Sequence, residues 1–407
     1  MNNITKYTSA TLAALLLGAC STVDNTSGKT TEPAPKTGTS KGTETAPKKA
    51  PTNTVAMSIK KTPFGKVGTE QADLYTLTND SGAICKISNY GCIVTDIQVP
   101  DKDGKNGSVT LGFDSLDKYL AGHPFFGCIA GRYANRIAKG KFSIGENEYT
   151  LATNNGANHL HGGAKGFDKF IWDAQEVRGA NFVGLILTRT SPDGEEGYPG
   201  NLVSSVTYKW TNDNALEIDY MAKTDKATPI NLTNHCYFNL TGGKESILDH
   251  EITLVAKNFV PTDDGGIPTG KIDPVANTPF DFTSPHKIGE RIGAEHQQIT
   301  NGKGYDHTWV LDNQDGGKAL AAKVTEASTG RVLEVLTDQK GIQFYTGNYL
   351  DGSLTGRGGN VYKHRYGFCL ETQVYPDSPN QKSFPKAILN PGETYTHHCT
   401  YKFSVVK

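Results

Sequence analysis

The sequence predicts an all-β protein whose folded part is a large single-domain antiparallel β-sandwich. Short segments of alternating apolar and polar residues recur along residues 56–407, and turns rich in Gly, Asn and Asp, such as "TNDN" and "DNQDGG", separate them. Helical periodicity is scarce, and no second change of composition interrupts these residues. Because large β-sandwiches extend over this length as one unit, we expect one domain.

The clearest predicted strands lie between residues 181 and 406 and alternate with a period of two residues. They are "NFVGLILTRT" (181–190), "SSVTYKWT" (204–211), "ALEIDYMAKT" (215–224), "HEITLVAKNFV" (250–260) and "TYTHHCTYKFSVV" (394–406). Two further segments, "SLDKYLAG" (115–122) and "KIGERIG" (287–293), are expected to form one short helix each.

An apolar run near the amino terminus predicts export. Residues 9–20, "SATLAALLLGAC", follow a stretch that contains Lys6, and they are fewer than the ~20 apolar residues that a membrane-spanning helix needs. Their end, "LGAC", resembles the lipobox of bacterial lipoproteins, in which the cysteine, here Cys20, is acylated. We expect residues 1–19 to be a lipoprotein signal peptide; a secretory signal that happens to contain Cys is the alternative.

Residues 20–55 are expected to be the lipidated Cys20 and a disordered tether rich in Thr, Pro and Lys. They hold no aromatic residue and almost no apolar ones, so they cannot bury enough surface to fold. Two or more acyl chains on Cys20 would anchor the protein stably. Because Ser21 is not the Asp that commonly marks inner-membrane retention, we expect an exported lipoprotein at the outer membrane, on its periplasmic side, or at the cell surface.

The composition argues against several kinds of partner. The net charge of −1 offers no basic excess for nucleic acid, and contact with a membrane is expected through the lipid anchor only. The cysteines after Cys20 are even in number, which permits disulfides outside the cytoplasm. Their apolar, strand-like surroundings, as in "GCIVTDIQV", favour free thiols that act as small buried hydrophobes.

The stretch "NGANHLHGG" (155–163) places two histidines, His159 and His161, two residues apart. In an extended strand both imidazoles would point to one face, so both could line one pocket. A metal site would need further ligands, and the chain contains neither HExxH nor a compact Cys/His spacing. We therefore expect no metal.

Four ionisable residues lie among residues expected in a core: Arg136, His235, Asp306 and Glu371. A lone buried charge costs several kcal/mol unless it has a partner. Any one of them alone would be interpreted as a structural ion pair or a strand end. Four together on an all-β scaffold, with histidines and amides, indicate a polar pocket for a polyhydroxylated ligand.

The sequence resembles that of the aldose 1-epimerases, the galactose mutarotases, over nearly the whole chain after the tether. Ten blocks match that family in its order: "GRYANRIAKGKF", "NHLHGGAKGFDK", "SPDGEEGYPGNL", "INLTNHCYFNL", "PTDDGGIPTG", "TPFDF", "YDHTWVL", "IQFYTGN", "GFCLETQVYPDSPN" and "LNPGETY". The resemblance implies the family's large β-sandwich, the galactose mutarotase-like supersandwich, and a catalytic domain over residues 56–407.

Carried over block by block, the resemblance implies Glu371 as general base and His235 as general acid. The residues that it implies as contacts to the sugar are His161, Arg136, Asp306 and Gln343, with Asn135 as a secondary contact. His159 has no such role and is expected to shape the strand or the rim of the pocket.

The implied activity interconverts the α and β anomers of aldohexoses such as galactose and glucose, without a cofactor. Opening the sugar ring requires the C1 hydroxyl to lose a proton while O5 gains one. The ordinary pKa values of Glu and His, about 4.3 and 6.5, suggest a carboxylate and an imidazolium near neutral pH. The alternative is a catalytically silent carbohydrate-binding surface lipoprotein; a glycosidase would need two carboxylates at the bond.

Overall fold

Antiparallel β-structure dominates residues 55–406, the part of the chain that the computed structural model describes. The predictions for the signal peptide, for Cys20 and for residues 21–54 of the tether lie outside the described residues. Within residues 55–406, every helix is too short and too polar to cross a membrane.

The strands follow one another at short intervals. In the first part of the chain they are β1 (Ser58–Val67), β2 (Glu70–Thr78), β3 (Ile84–Ser88), β4 (Val94–Pro100), β5 (Asn106–Ser108), β6 (Ile129–Ala130), β7 (Arg136–Ile137), β8 (Lys141–Ile144) and β9 (Asn147–Thr150). The next are β10 (His159–Leu160), β11 (Asp173–Arg178), β12 (Phe182–Ser191), β13 (Leu202–Thr211), β14 (Ala215–Thr224), β15 (Thr228–Pro229), β16 (Thr233–Asn234), β17 (Glu251–Leu254), β18 (Asn258–Val260) and β19 (Asp273–Pro274). The last are β20 (His286–Lys287), β21 (Asp306–Val310), β22 (Ala319–Thr325), β23 (Arg331–Thr337), β24 (Gly341–Tyr345), β25 (Cys369–Gln373), β26 (Ile388–Leu389) and β27 (Tyr395–Val405).

Helices are few and short. The α-helices among the described residues are α1 (Leu116–Leu120) and α2 (Gln297–Gly302). The single-turn 3-10 helices are Ala138–Gly140, Phe167–Lys169, Glu195–Gly197, Ile247–Asp249, Arg357–Gly359 and Ser378–Asn380.

Three sheets build the molecule. The first is the meander β1-β2-β3-β4-β5, and the second is a nine-stranded sheet in the order β11-β12-β13-β14-β27-β23-β22-β17-β20. The third is the five-stranded sheet β19-β18-β21-β24-β25, and two-stranded ribbons complete the structure. Neighbouring strands in the three sheets are antiparallel, which the alternating sequence pattern predicts.

The sheets pack face to face over one shared hydrophobic core, which confirms the predicted β-sandwich. Tyr208 and Trp210 of β13 are fully buried, and both reach from the nine-stranded sheet to the first sheet. The Tyr208 hydroxyl donates to the Cys92 carbonyl at 2.8 Å, and the Trp210 indole N–H donates to the Ala83 carbonyl at 3.1 Å. These polar tips are therefore satisfied inside an apolar core.

Most predicted elements are confirmed, with two corrections. The segment 250–260 forms two strands, β17 and β18, instead of one. The helix predicted for "KIGERIG" is wrong, because its backbone amides bond elsewhere: the N–H of Ile288 donates to the His250 carbonyl and that of Gly289 to the Leu248 carbonyl. Two glycines, at 289 and 293, also weaken a helix at this place.

The six cysteines of the described residues are free thiols, as the apolar surroundings predict. All six are buried, with at most 1% of the residue exposed. Burial raises the pKa of the Cys85 and Cys92 thiols well above its usual range, which keeps them protonated and unreactive.

Thiol titration tests this placement. In a Cys20→Ser variant of the full chain, we expect the native protein to react with an aromatic disulfide reagent far more slowly than free cysteine does, because thiolates are needed for the reaction. After denaturation without reductant, all six thiols should react at once. Fewer than six under those conditions would mean a disulfide and would contradict this structure.

Candidate active site

A cavity of about 510 Å³ lies against one face of the third sheet, where loops from several parts of the chain cover it. This volume lies within the range of about 300–1,000 Å³ that is typical of small-molecule sites. Of the residues that the sequence predicts for the site, the cavity wall contains Asn135, Arg136, His161, His235, Asp306 and Glu371.

Strand register determines which side chains of the third sheet face the cavity. Asp306 pairs with Tyr345, which pairs with Cys369, and these residues form one row across β21, β24 and β25. A second row consists of Thr308, Gln343 and Glu371, each two residues away from the first-row residue of its own strand. Because side chains two residues apart share a face, both rows lie on the same face of the sheet.

His235 follows β16 and meets Glu371 at the floor of the cavity. Its backbone N–H donates to the Cys128 carbonyl at 2.9 Å, which ties the loop to β6 and aims the imidazole at β25. The Nε2 atom lies 3.6 Å from Oε1 of Glu371, and the two side chains are only 6% and 3% exposed. The other oxygen of Glu371, Oε2, is buried and has no hydrogen-bond partner within residues 55–406.

Two aromatic rings pack against the His235 imidazole. Tyr237 stacks on it with 5.2 Å between ring centres and 27° between planes, and Phe125 lies at 5.8 Å and 31°. Phe125 also contacts the ring of His161 at 4.6 Å. The imidazole therefore has little freedom to rotate and little contact with water.

His161 and His159 have different surroundings. Strand β10 ends at Leu160, and His161 adopts a positive φ of 49°, so the idea that both imidazoles line one pocket is wrong. His161 faces the cavity, whereas His159 lies outside its wall and contacts the Tyr198 hydroxyl at 2.6 Å and the Ala152 carbonyl at 2.7 Å. This position agrees with the supporting role expected for His159.

The hydrogen bonds of His161 define its tautomer. The backbone N–H of Asn135 donates to Nδ1 at 3.2 Å, so this nitrogen is an acceptor and carries no hydrogen. Burial, with His235 and Arg136 nearby, lowers the pKa of His161 well below its usual range, so the ring is neutral. The hydrogen then lies on Nε2, and His161 is a hydrogen-bond donor to whatever enters the cavity.

The polar end of the cavity is built around Asp306 and Arg136. A guanidinium nitrogen of Arg136 lies 4.0 Å from the Asp306 carboxylate, and its Nε donates to Asn155 at 3.1 Å. The Asn135 side chain accepts the backbone N–H of Arg136 at 2.9 Å. Opposed donors and acceptors of this kind suit a ligand that carries several hydroxyl groups.

Gln343 lies beside the cavity, in the same row as Glu371. It is 2% exposed, absent from the cavity wall, and its carboxamide is used by protein partners. Its Nε2 donates to Asp306 at 2.7 Å, and its Oε1 accepts the Thr308 hydroxyl at 2.5 Å. Gln343 therefore orients the Asp306 carboxylate, and its direct contact with a sugar hydroxyl stays a prediction.

Burial reverses the charge states that ordinary pKa values suggest. It raises the pKa of Glu371 well above its usual range, with a further contribution from the charge of Asp306, and it lowers the pKa of His235 to about 4. These surroundings therefore favour a neutral carboxyl group and a neutral imidazole. Burial thus opposes the carboxylate and imidazolium that the ordinary pKa values suggest.

His161, His235 and Glu371 also bring three possible metal-ligand atoms within 4.8 Å of one another. The tautomer of His161 argues against a metal there, since Nε2 carries the hydrogen while Nδ1 accepts the N–H of Asn135. A ligating Nε2 would need its hydrogen on Nδ1, directly opposite that backbone donor. These residues fit hydrogen bonding to hydroxyl groups better than they fit a cation.

Several residues of the cavity were not predicted. Phe125, Tyr237, Tyr345 and Tyr349 all contribute to its wall. Tyr237 and Tyr345 have a detectable signal, because each lies two residues from a predicted site residue on extended backbone. Phe125 has none: it lies in a loop with a positive φ of 63°, and only the folded chain brings it to the histidines.

Comparison with known proteins agrees with this geometry. The family model described as "Aldose 1-epimerase" matches residues 73–402. Galactose mutarotase of Mus musculus is 46% identical over 352 residues, which cover 86% of this chain and 99% of the mouse protein. Aldose 1-epimerase of Escherichia coli K12 is 37% identical over 332 residues, which cover 81% of this chain and 94% of that protein.

Solved structures agree as well. The crystal structure of galactose 1-epimerase from Lactobacillus acidophilus NCFM superposes with a TM-score of 0.76 at 29% sequence identity, over 86% of this chain and all of that one. A family match over most of the chain, relatives of nearly equal length and the same fold lead to one conclusion. The chain belongs to the aldose 1-epimerase family.

Proposed function

We propose that this chain is an enzyme that interconverts the α and β anomers of an aldohexose such as galactose or glucose by opening and reclosing the sugar ring. One observation carries the proposal: a carboxyl group and an imidazole, both almost completely buried, lie 3.6 Å apart at the floor of a cavity whose other end is polar. Family membership supports the same activity. No cofactor takes part in the proposed steps.

The proton balance assigns the two roles. In ring opening, the carboxylate of Glu371 accepts the proton of the C1 hydroxyl, and the imidazolium of His235 donates its Nε2 proton to O5 as the C1–O5 bond breaks. The product is an open-chain aldehyde beside a neutral carboxyl group and a neutral imidazole. Rotation about C1–C2 exposes the other face of the aldehyde. Reclosure returns both protons, so His235 is then the base and Glu371 the acid.

Burial supports this cycle. The charged pair and the neutral pair contain the same number of protons, so a proton shift from Glu371 to His235 converts one into the other. The surroundings favour the neutral pair, since burial raises the pKa of Glu371 and lowers the pKa of His235. Ring opening discharges both groups, and the low-polarity floor thereby favours the direction of proton transfer that the reaction requires.

The other residues of the cavity hold the sugar while C1 turns. Asp306 accepts and Arg136 donates hydrogen bonds at the polar end, Asn135 is a secondary contact, and His161 donates through Nε2. Gln343 acts on the sugar through Asp306. If the hydroxyl groups beyond C2 are fixed in this way, only the aldehyde end rotates, which keeps the other carbon centres unchanged.

Substitution of the pair tests the assignment. Glu371→Gln keeps the shape of the neutral carboxyl group and removes the proton acceptor, so we expect kcat to fall by at least the ~10²-fold typical of a lost acid–base group, with much less change in KM. His235→Asn should act similarly. Polarimetry on pure α-galactose and pure β-galactose, corrected for spontaneous mutarotation, measures both directions. Glu326→Gln, at a second buried carboxylate outside the cavity, is the matched control. A Glu371→Gln enzyme that keeps its rate would favour a silent carbohydrate-binding protein.

The same substitution should change stability in a pH-dependent way. The folded pKa of Glu371 is raised, so its contribution to stability is complete below the unfolded pKa of about 4.3 and is lost as pH rises through the folded pKa. Glu371→Gln removes this titration, and we expect its free energy of unfolding relative to the wild type to rise between pH 4 and pH 9. Urea unfolding across that range measures it.

Glu326 provides a control of opposite sign for this measurement. Burial acts to raise its pKa, but hydrogen bonds from Thr329 and Ser328 outweigh it and lower the pKa to about 2. Its stabilising contribution is present above the unfolded pKa and is lost as pH falls. Glu326→Gln should therefore lose stability relative to the wild type as pH rises from about 2 to about 5, so its unfolding is measured from pH 2 upward. Parallel pH dependences for the two variants would refute the neutral, buried state of Glu371.

We also propose that the enzyme is an exported lipoprotein held at the outer membrane or the cell surface through Cys20. The lipobox-like "LGAC" and the polar composition of residues 21–55 support this proposal. The tether would then hold the catalytic unit, residues 56–407, away from the lipid surface.

Acylation of Cys20 is directly testable. Cys20→Ser should move the protein from the membrane fraction to the soluble fraction, while mutarotase activity per molecule stays the same. Labelling with an alkyne-tagged fatty acid should mark the wild type and not the variant. Ser21→Asp is an informative companion, since it should shift an outer-membrane lipoprotein toward the inner membrane. A wild-type protein that takes up no label would show that Cys20 is not acylated.

A further inference from the structure

Strand β25 contacts both ring nitrogens of His235. Cys369 and Glu371 are two residues apart on this strand, so their side chains share a face. Glu371 Oε1 lies 3.6 Å from Nε2, and Cys369 Sγ lies 3.5 Å from Nδ1 on the opposite edge of the ring. All three side chains are buried, and Cys369 is fully excluded from solvent. The imidazole is thus held between a carboxyl group and a thiol.

A thiol is an unusual partner for Nδ1 in this chain. Three other buried histidines place Nδ1 against oxygen: His159 against the Ala152 carbonyl at 2.7 Å, His397 against the Leu232 carbonyl at 3.0 Å, and His398 against the Asp219 carboxylate at 2.6 Å. Sulfur accepts a hydrogen bond much more weakly than oxygen does. His235, which transfers protons in the proposed mechanism, therefore has a weaker acceptor at Nδ1 than these three histidines have.

The proton cycle explains what such a partner can do. When His235 gives its Nε2 proton to O5, the neutral ring keeps its hydrogen on Nδ1, so Nδ1–H needs an acceptor in both protonation states. A carboxylate at this position would stabilise the imidazolium and make it a poor acid. A neutral sulfur orients the Nδ1–H without adding charge. Burial raises the pKa of the Cys369 thiol well above its usual range, so the sulfur stays uncharged.

We propose that Cys369 is a positioning residue for the epimerase reaction: its sulfur accepts the Nδ1–H of His235, which leaves Nε2 as the nitrogen that exchanges protons with the sugar. The inference rests on the proposed role of His235 as the proton donor to O5. It adds a second requirement, that the Nδ1 partner be neutral, so that the proton leaves His235 and returns to it with similar ease in the two directions.

The remaining groups around His235 do not take this role. Glu371 faces Nε2, and the rings of Tyr237 and Phe125 pack against the imidazole. His161 meets the ring edge-on with 5.1 Å between centres. His123 lies in the loop before Phe125, where burial lowers its pKa to about 3 and keeps it neutral. Asp306 and Arg136 lie at the polar end of the cavity and pair with each other.

Two substitutions at Cys369 separate a hydrogen-bonding role from simple packing. Cys369→Ala removes the acceptor, and we expect kcat to fall roughly tenfold with KM nearly unchanged, the loss typical of one net hydrogen bond. Cys369→Ser restores an uncharged acceptor and should recover most of this loss. Cys85→Ala is the matched control, because it deletes the same atom at another fully buried site outside the cavity and should keep wild-type kcat.

A spectroscopic measurement makes the test independent of folding losses. In protein with ¹⁵N-labelled histidine, the ring shifts of His235, assigned with His235→Asn, report which nitrogen carries the hydrogen. We expect the Nδ1–H tautomer in the wild type and in Cys369→Ser, and a shift toward Nε2–H in Cys369→Ala. Equal kcat in the wild type and Cys369→Ala, equal losses in both Cys369 variants, or an unchanged tautomer would overturn the inference. An unimpaired His235→Asn enzyme would instead overturn the proposed function itself.

Discussion

The buried contact between Glu371 and His235 is the constraint on which the rest of the site depends. Two ionisable groups almost without solvent, 3.6 Å apart, cannot both carry charge without a cost of several kcal/mol. The surroundings therefore favour the neutral pair, and formation of the charged pair needs polar groups, such as the hydroxyl groups of a bound sugar, in place of water. The sandwich core offsets this cost, because residues of all three sheets contribute to one hydrophobic cluster.

The fold divides the work of the site between regular and irregular structure. The third sheet supplies the carboxyl groups of Asp306 and Glu371 on strands whose register is defined by backbone hydrogen bonds. The short strand β7 supplies Arg136 and the loops supply the histidines, and two loop residues, Asn135 and His161, have positive φ values of 63° and 49°. A rigid sheet with loops laid across it places groups from distant parts of the chain within hydrogen-bond distance, while side chains on the opposite face of the sheet pack into the core.

The sequence predicted much of the fold and most of the cavity. Alternation with a period of two residues identified the long strands of the nine-stranded sheet, because half-buried antiparallel strands impose that pattern locally. The helix predicted for "KIGERIG" does not form, because the partners of its backbone amides lie about 40 residues earlier in the chain, at His250 and Leu248. Six residues implied by the family resemblance, among them Glu371 and His235, lie in one cavity, whereas Gln343 lies beside it.

What the sequence by itself determined is the all-β class, the family and the identity of the chemical groups, since these depend on residue types and on their order. The tertiary structure alone decided how those groups behave. The neutral state of Glu371 and His235 follows from burial, which residue type does not encode. The contact between Cys369 and His235 joins residues 134 positions apart, and the hydrogen on Nε2 of His161 depends on the backbone of Asn135, 26 positions away. Local patterns cannot report such contacts, because only folding of the whole sandwich brings the two partners together.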